Sequence, residues 1–354
     1  MNFSAALLRW YKKHKRDLPW RKTKDPYVIW LSEIILQQTR VNQGLPYFLK
    51  FVKQYPTVQK LADAKLQSVL KLWQGLGYYS RVRNMHYTAK EIKKRHNGIF
   101  PNEYTELLKL KGVGEYTAAA IASICFGKPH PVIDGNAARV LSRYFGMKLL
   151  PDSSSAKKKY TAAAYQLMGK YPPADFNQAV MEFGALQCVP KNPDCSVCPF
   201  IKSCFAFNHN QVQRLPVKKI KPKIRRRYFD YLVIQHKKKI YLRKRTEDDI
   251  WKNLFDFPVI ESKKFLSHKL LMKSAGWKKL LGNCDYDAVS SSRLYRHQLS
   301  HQHLSVRFWK IIIQKNSSSK DFNKLVAADS KTVNKYPIPR LIEHFLEENK
   351  IFDN

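Results

Sequence analysis

The stretch Leu110–Asp134, LKGVGEYTAAAIASICFGKPHPVID, limits the possible folds more than any other part of the chain. Gly112-Val113-Gly114 asks for a reversal too tight for residues with a Cβ, because glycine reaches positive φ at little cost. Thr105–Lys111 reads as the end of one helix, and Ala118–Phe126 as a second helix whose small residues allow close packing. Two short helices joined in this way form a helix–hairpin–helix, here 105–127. The amides around Gly112 and Gly114, with the N-terminus of the second helix, face outward and suit a backbone phosphate. Asp134, in VIDGN, follows this grip at a fixed distance.

Charge narrows the partner. The chain has 354 residues, enough for two or three domains with their own cores. Its 64 Lys+Arg against 27 Asp+Glu give a formal net charge of +37, far more than solubility needs. A generally solvated basic surface is the plain reading, and a polyanion, nucleic acid or an anionic membrane, the sharper one. No run approaches the roughly 20 apolar residues of a membrane-spanning helix. Met1–Trp10 is too short and too amphipathic for a signal peptide. Nucleic acid rather than membrane is therefore the expected partner, in a reducing cytoplasm or nucleoid.

Residues 1–207 read as almost wholly helical. Apolar residues recur at helical spacing in Ala5–Tyr11, Trp30–Leu36, Tyr47–Val52, Leu66–Trp73 and Tyr160–Met168, with Gly, Pro and Asn turns between them. In Arg214–Arg227, RLPVKKIKPKIRRR, eight basic residues and two prolines occur without an acid. This reads as an extended linker that can also lie along phosphates. From Tyr228 onward YFDYLVIQH, KIYLRKR and VRFWKIIIQ read as strands. Ser262–Ala275 and Pro339–Glu348 read as helices. The expectation is an all-α region followed by a separate α+β domain.

Cys188, Cys195, Cys198 and Cys204 give C-x6-C-x2-C-x5-C. Four thiolates in one short segment can enclose a metal centre, either zinc or an iron–sulfur cluster. Zinc sites usually bring two C-x2-C pairs, and only one is present. Cys125 and Cys284 are isolated and read as packing residues. Two acids sit among apolar or small residues: Glu33 in LSEIILQQ and Asp134 in VIDGN. Breaking a glycosidic bond calls for an acid on the leaving group and a carboxylate beside the cationic sugar. Burial among Ile34, Ile35 and Leu36 would raise the Glu33 pKa and keep a proton available. Glu33 also reads as a solvent-facing helix residue or a capping-box partner. Asp134 also reads as the N-cap of a helix over Asn136–Tyr144, a role compatible with chemistry.

These features occur together with Leu18-Pro19-Trp20-Arg21, Leu31–Thr39, Gly75-Leu76-Gly77-Tyr78-Tyr79 and Asp134-Gly135-Asn136. The chain thereby resembles the endonuclease III-like helix–hairpin–helix superfamily and, within it, the MutY-type adenine DNA glycosylases. The cysteine spacing matches that superfamily's 4Fe-4S loop, here 188–204. The resemblance implies a helical glycosylase domain over 1–207, a basic interdomain linker over 208–227 and a Nudix-like (MutT-like) lesion-recognition domain over 228–354.

The resemblance also implies roles. Glu33 would protonate adenine at N7 and later position water. Asp134 would stabilise the oxocarbenium-like sugar, through a transient covalent bond if one forms. Tyr116 and Asn136 would support the two carboxylates. Trp20, Arg21 and Gln178 would line the pocket for the extruded adenine, the bland readings being core packing for Trp20 and surface polarity for the other two. Gln37, Gln38, Leu76 and Tyr78 would fill the space that the flipped base leaves. Glycosylase/lyases of this superfamily carry a lysine that forms a Schiff base where this chain has Tyr116, which implies a monofunctional enzyme. Many MutY-type sequences have a lysine where this chain has Ala138.

In the C-terminal region Trp251–Pro258 is similar to the family's tryptophan-to-Phe-Pro signature, with Lys252 and Asn253 at positions where glycines are usual. No glutamate cluster for magnesium is present, so a reader rather than a hydrolase is expected. Leu299-Ser300-His301 aligns with a Phe-Ser-His turn that reads 8-oxoguanine; Ser300 and His301 keep the polar contacts and Leu299 loses the ring. The expected activity is removal of adenine opposite 8-oxoguanine or guanine in double-stranded DNA, by a monomer. The alternatives are an endonuclease III-like glycosylase/lyase for oxidised pyrimidines, and a non-enzymatic DNA-binding protein that uses the hairpin and linker alone.

Overall fold

The structure is a computed structural model that describes residues 2–150, 153–217, 224–282, 284–315, 319–349 and 351. Its contacts divide the chain into two compact units, Met1–Asp63 with Ser80–Ile220, and Ala64–Tyr79 with Lys221–Asn354. No described helix is long and apolar enough to cross a membrane.

The helices up to residue 208 are α1 (Phe3–His14), α2 (Pro26–Leu36), α3 (Val41–Gln54), α4 (Val58–Asp63), α5 (Leu66–Leu72), α6 (Ser80–Arg95), α7 (Tyr104–Lys109), α8 (Glu115–Phe126), α9 (Gly135–Phe145), α10 (Ser154–Met168), α11 (Pro173–Leu186) and α12 (Phe205–Asn208). All but α5 belong to the first unit. One core of that unit joins Leu7 and Trp10 of α1 to Leu141 of α9, Tyr160 of α10, Phe176 and Phe183 of α11, and Phe200. Asp25 starts α2 by accepting from the Tyr27 N–H at 2.8 Å, and Pro26 presets its first turn. From Ile29 to Ile35 every residue of α2 is buried, because α3, α6 and α8 pack around it. A helix enclosed on all sides takes Glu33 inside with its apolar neighbours.

The hairpin forms where the sequence predicts, but α7 ends at Lys109, two residues before Lys111, and α8 begins three residues before Ala118. Its two glycines serve different ends. Gly112 has φ +81°, and a Cβ there would lie 2.8 Å from Asn84 Cβ. Gly114 has φ −93° in extended backbone, with open space where a Cβ would be. The turn therefore requires only Gly112, and Gly114 leaves the α8 N-terminus bare.

In the second unit a sheet has the order β3-β2-β1-β7-β5, with β4 on β1, β6 on β7 and β8 on β2. The strands are β1 (Arg225–His236), β2 (Lys239–Lys244), β3 (Phe255–Asp256), β4 (Val259–Ser262), β5 (Tyr286–Ser291), β6 (Tyr295–Gln298), β7 (Gln302–Ile313) and β8 (Val326–Ala328). β1 and β7 pair in parallel from Arg225/Gln302 to Gln235/Ile312. The helices are α13 (His268–Lys273), α14 (Ala275–Leu281) and α15 (Arg340–Glu348). Leu232, Ile234, Trp309 and Ile311 form a core with Trp277 and Leu281 of α14. Phe308 stacks on Phe345 of α15, centroids 3.8 Å apart. Ala64–Tyr79 belongs to this unit, where Gln74 receives the Ile338 N–H at 3.1 Å and donates to Glu343 at 2.8 Å.

Two expectations are corrected. The helix expected over Ser262–Ala275 is shorter: Ser262 ends β4, and Ser267 and Ser274 each cap a new N-terminus, giving α13 and α14. The linker expected over 208–227 is also shorter. Residue 208 still ends α12, and β1 begins at Arg225. Arg227 is a sheet residue, buried in ion pairs with Asp249 at 2.7 Å and Glu261 at 2.6 Å. Upstream, Leu215 is buried and its carbonyl accepts from Arg143 Nε at 3.0 Å. Residues 218–223 of the expected linker lie outside the described residues.

Candidate active site

Two carboxylates from different helices form the centre. Glu33, on α2, is only 8 % exposed. Tyr116, in the first turns of α8, donates its hydroxyl to Glu33 Oε2 at 2.5 Å. Burial pushes the Glu33 pKa up to about 7; the Tyr116 hydrogen bond holds it down, the nearby Asp134 charge pushes it up, and Arg21 pulls it back. The Tyr116 phenol is driven well above its usual range by burial and by both carboxylates, so it remains a donor.

Asp134 is the N-cap of α9. Its Oδ1 accepts from the Ala137 N–H at 2.7 Å and its Oδ2 from Asn136 Nδ2 at 2.8 Å. Burial raises its pKa, and these N–H donors oppose that rise by favouring the charged form. Glu33 has one neutral phenol, whereas Asp134 has a helix N-terminus. The pair is thus divided into a carboxyl that keeps a proton near neutrality and a carboxylate supplied with donors.

Two arginines, one turn apart on α9, tie this centre to the cysteine segment. Arg139 Nη2 donates to Asn136 Oδ1 at 2.7 Å and to the Gly184 carbonyl at 2.6 Å, while its Nε donates to the Cys188 carbonyl at 2.8 Å. Arg143 Nη1 donates to Cys188 Sγ at 3.3 Å and to the Val189 carbonyl at 2.8 Å. Cys188, Cys195, Cys198 and Cys204 line one cavity beside Arg143. Burial pushes the Cys198 thiol up to about 12 and raises Cys195 and Cys204, with mutual repulsion adding to it. Among the described residues no group of His, Cys, Asp or Glu converges as a single metal ion would require.

Of the other expected residues, Arg21 is near enough to act on the Glu33 charge and lies 5.6 Å from the Tyr11 ring, whose hydroxyl Gln178 accepts. Trp20 is buried edge-on against Phe48, centroids 5.0 Å apart. Arg21 makes a bidentate pair with Glu182, Nη1–Oε1 2.9 Å and Nη2–Oε2 2.8 Å. Gln178 accepts from the Tyr11 hydroxyl at 2.8 Å. Gln37 donates to Thr117 Oγ1 at 3.3 Å, and Gln38 is exposed with φ +55°. In the second unit Leu76 is buried (5 % exposed), while Tyr78 is exposed with φ +46°. Ser300 and His301 are exposed at the tip of the β6–β7 turn, which the Leu299 N–H closes onto the Gln302 carbonyl at 2.8 Å. Ser300 Oγ lies 3.2 Å from His301 Nδ1.

Three residues beyond these expectations bear on the site. Glu182 of α11, its side chain 1 % exposed, also pairs with Arg16 at 2.6 Å, and the two guanidiniums help hold it down at about 2. The signal for it in the sequence is the one used for Glu33, an acid among apolar residues, here in AVMEFG. Arg139 and Arg143 follow Asn136 at helical spacing, but nothing in the sequence says that they turn inward.

Comparisons with known proteins agree with the two folds described. Residues 31–164 match the family model for HhH-GPD superfamily base excision DNA repair proteins, and residues 230–348 match a NUDIX domain. An adenine DNA glycosylase of Buchnera aphidicola subsp. Baizongia pistaciae is 37% identical over 92% of this chain and 90% of its own. That of Buchnera aphidicola subsp. Acyrthosiphon pisum is 39% identical over 74% and 75%. The Homo sapiens adenine DNA glycosylase is 41% identical over 60% of this chain and 41% of its own. Among solved structures, a thermostable thymine-DNA glycosylase superposes with TM-score 0.54 at 29% identity over 58% of this chain and 95% of that one. A DNA-trapped endonuclease III superposes with TM-score 0.51 at 20% identity, covering 58% and 94%, a likeness of fold.

Proposed function

The chain belongs to the adenine DNA glycosylase family, and from that membership we propose that it hydrolyses the N-glycosidic bond of adenine in double-stranded DNA, opposite 8-oxoguanine or guanine. The observation that carries the chemistry is the Glu33 carboxyl, buried, poised at about 7 and hydrogen-bonded to Tyr116, with Asp134 close enough to act on its charge.

A stacked adenine is out of reach of these groups, so the nucleotide must be extruded first. Glu33 gives its proton to N7 as the C1′–N9 bond breaks and its electron pair leaves with the base. Asp134 stands beside the developing positive charge on the sugar, oriented by Asn136 and the α9 amides. Water then adds to C1′, losing its proton to the Glu33 carboxylate, which is restored for the next turnover. The products are adenine and an abasic site. Tyr116 has no amine to form a Schiff base, so the strand stays intact.

Cys188, Cys195, Cys198 and Cys204 would hold a 4Fe-4S cluster; their shared cavity and the Arg143 contact to Cys188 support this reading. Bound there, the cluster would cross-link the segment that Arg139 and Arg143 tie to α9. Ser300 and His301 would read the 8-oxoguanine opposite the adenine, and Tyr78 would enter the opened stack. We take the protein to act as a monomer on DNA of the cytoplasm or nucleoid.

The test is a duplex with a labelled adenine opposite 8-oxoguanine. Alkali-labile sites should appear without strand cleavage before alkali. Glu33→Gln and Asp134→Asn should each nearly abolish them while duplex binding persists. No abasic site from cluster-loaded protein would refute the assignment.

A further inference from the structure

The chain enters α9 through Lys128–Ile133, KPHPVI, and the Asp134 carboxylate stands at the end of that path. The Asp134 hydrogen bond to the Ala137 N–H ties it to the first turn of its own helix and to nothing further. The path itself needs another hold. Pro129 and Pro131 have no N–H to give. The Lys128 N–H returns to the Ala122 carbonyl at 3.0 Å and the His130 N–H to the Lys128 carbonyl at 2.8 Å, so both stay local. The Val132 N–H instead leaves the segment: Oδ1 of Asn177, on α11, accepts it at 3.0 Å. Asn177 Nδ2 donates in turn to the His130 carbonyl at 2.8 Å. A side-chain amide thus stands where a neighbouring strand would, meeting the C=O of one residue and the N–H of the second after it.

Asn177 has the surroundings this task needs. It is 2 % exposed, and Nδ2 donates also to Ser123 Oγ of α8 at 2.9 Å. A buried amide is costly unless its groups are paired, and here the oxygen and the amino group both are. Because a carbonyl and an N–H of the backbone face it, the two ends of the amide cannot be interchanged. The segment is held a second time where His130 stacks on Tyr104 of α7, centroids 4.3 Å apart. The helix that carries Asn177 also carries Glu182, whose partner Arg21 acts on the Glu33 charge. One element, α11, therefore sets both the path to Asp134 and the cation near Glu33.

We propose that Asn177 is the positioning residue for Asp134: by clamping the His130–Val132 backbone it fixes where the carboxylate stands against the cationic sugar. It acts through Asp134 and leaves the proton donor Glu33 to its own partners. Displacing a reacting group by about 1 Å can cost about 100-fold in rate, so a hold upstream of the cap matters to the chemistry. The assignment rests on the reading of Asp134 as the group that faces the sugar.

The test uses two duplexes in which an abasic nucleotide replaces the adenine nucleotide opposite 8-oxoguanine. One carries a pyrrolidine ring, cationic when protonated, and the other a neutral tetrahydrofuran ring. The wild type should bind the cationic duplex more tightly, because Asp134 faces the charge. Asn177→Ala should lose about tenfold or more of that preference and release adenine about 100-fold more slowly in single turnovers, while its affinity for the neutral duplex stays at the wild-type level. A residue that only supported the fold would weaken both duplexes alike. Should Asn177→Ala fail to fold, Asn177→Ser, which keeps an oxygen for the Val132 N–H, should show a smaller loss in the same direction and decides alone. Wild-type preference in the folded variant, or an equal fall on both duplexes, overturns the proposal. A wild type without the preference overturns the role given to Asp134, and the proposal with it, so the two failures are told apart by which protein shows them.

Discussion

Glu33 does two incompatible things, and the conflict can be measured. As a general acid with a pKa of about 7 it must be protonated to act. The single-turnover rate should therefore fall about tenfold per pH unit above that pKa, read from adenine release across a pH series. The same shift costs stability. In the unfolded chain the carboxyl ionises near 4.5, and in the folded protein near 7. Between those values the native state holds a proton that the unfolded state has lost, so stability declines as pH rises through the window. Glu33→Gln should stabilise the protein by up to about 3 kcal/mol at pH 8 and by almost nothing at pH 4, measured by denaturant unfolding at both. Asp134→Asn should show a smaller gain, since the Ala137 and Asn136 donors oppose the rise that burial gives the Asp134 pKa, and asparagine keeps an oxygen for the cap.

At the scale of elements, the hairpin and α9 separate structure from function. Gly112→Ala forces a Cβ into left-handed backbone and against Asn84, and should cost about 1–2 kcal/mol of stability or more. Gly114→Ala meets open space at φ −93° and should leave Tm within a degree or two while weakening DNA binding, because only an approaching backbone feels the added methyl. Arg139→Met strands the Asn136, Gly184 and Cys188 oxygens that it serves. It should cost about 2–4 kcal/mol by urea unfolding and slow adenine release in the folded fraction. The sequence was readable where spacing alone decides the outcome: the α7–α8 turn, the cysteine quartet on one cavity, Asp134 as the cap of α9. It was unreadable where burial is decided by distant residues. Arg227 looks like the last residue of a basic linker until Asp249, from the β2–β3 connection, and Glu261, on β4, arrive to neutralise it. Ser267 and Ser274 lie inside what periodicity reads as one helix, and their capping hydroxyls divide it. Glu182 carries the same pattern as Glu33, and only the fold shows that two arginines complete it.

At the scale of the whole molecule, the carboxylate pair and the Ser300–His301 turn belong to separate units, and the lesion check we propose rests on the second. Replacing both Ser300 and His301 by alanine should therefore lower the preference for adenine opposite 8-oxoguanine over adenine opposite guanine, by about tenfold for two lost polar contacts. The guanine-paired rate should be unchanged in single-turnover assays on the two duplexes. The division leaves the carboxylate pair to the helical unit alone, and the opposed energetics of its two members have a consequence in time. In a lineage that no longer needs the reaction, replacement of Glu33 runs thermodynamically downhill and replacement of Asp134 by a residue that cannot cap runs uphill. Decay of such a gene would then have an order: the proton donor is erased first, and the aspartate persists as a relic that still holds its helix.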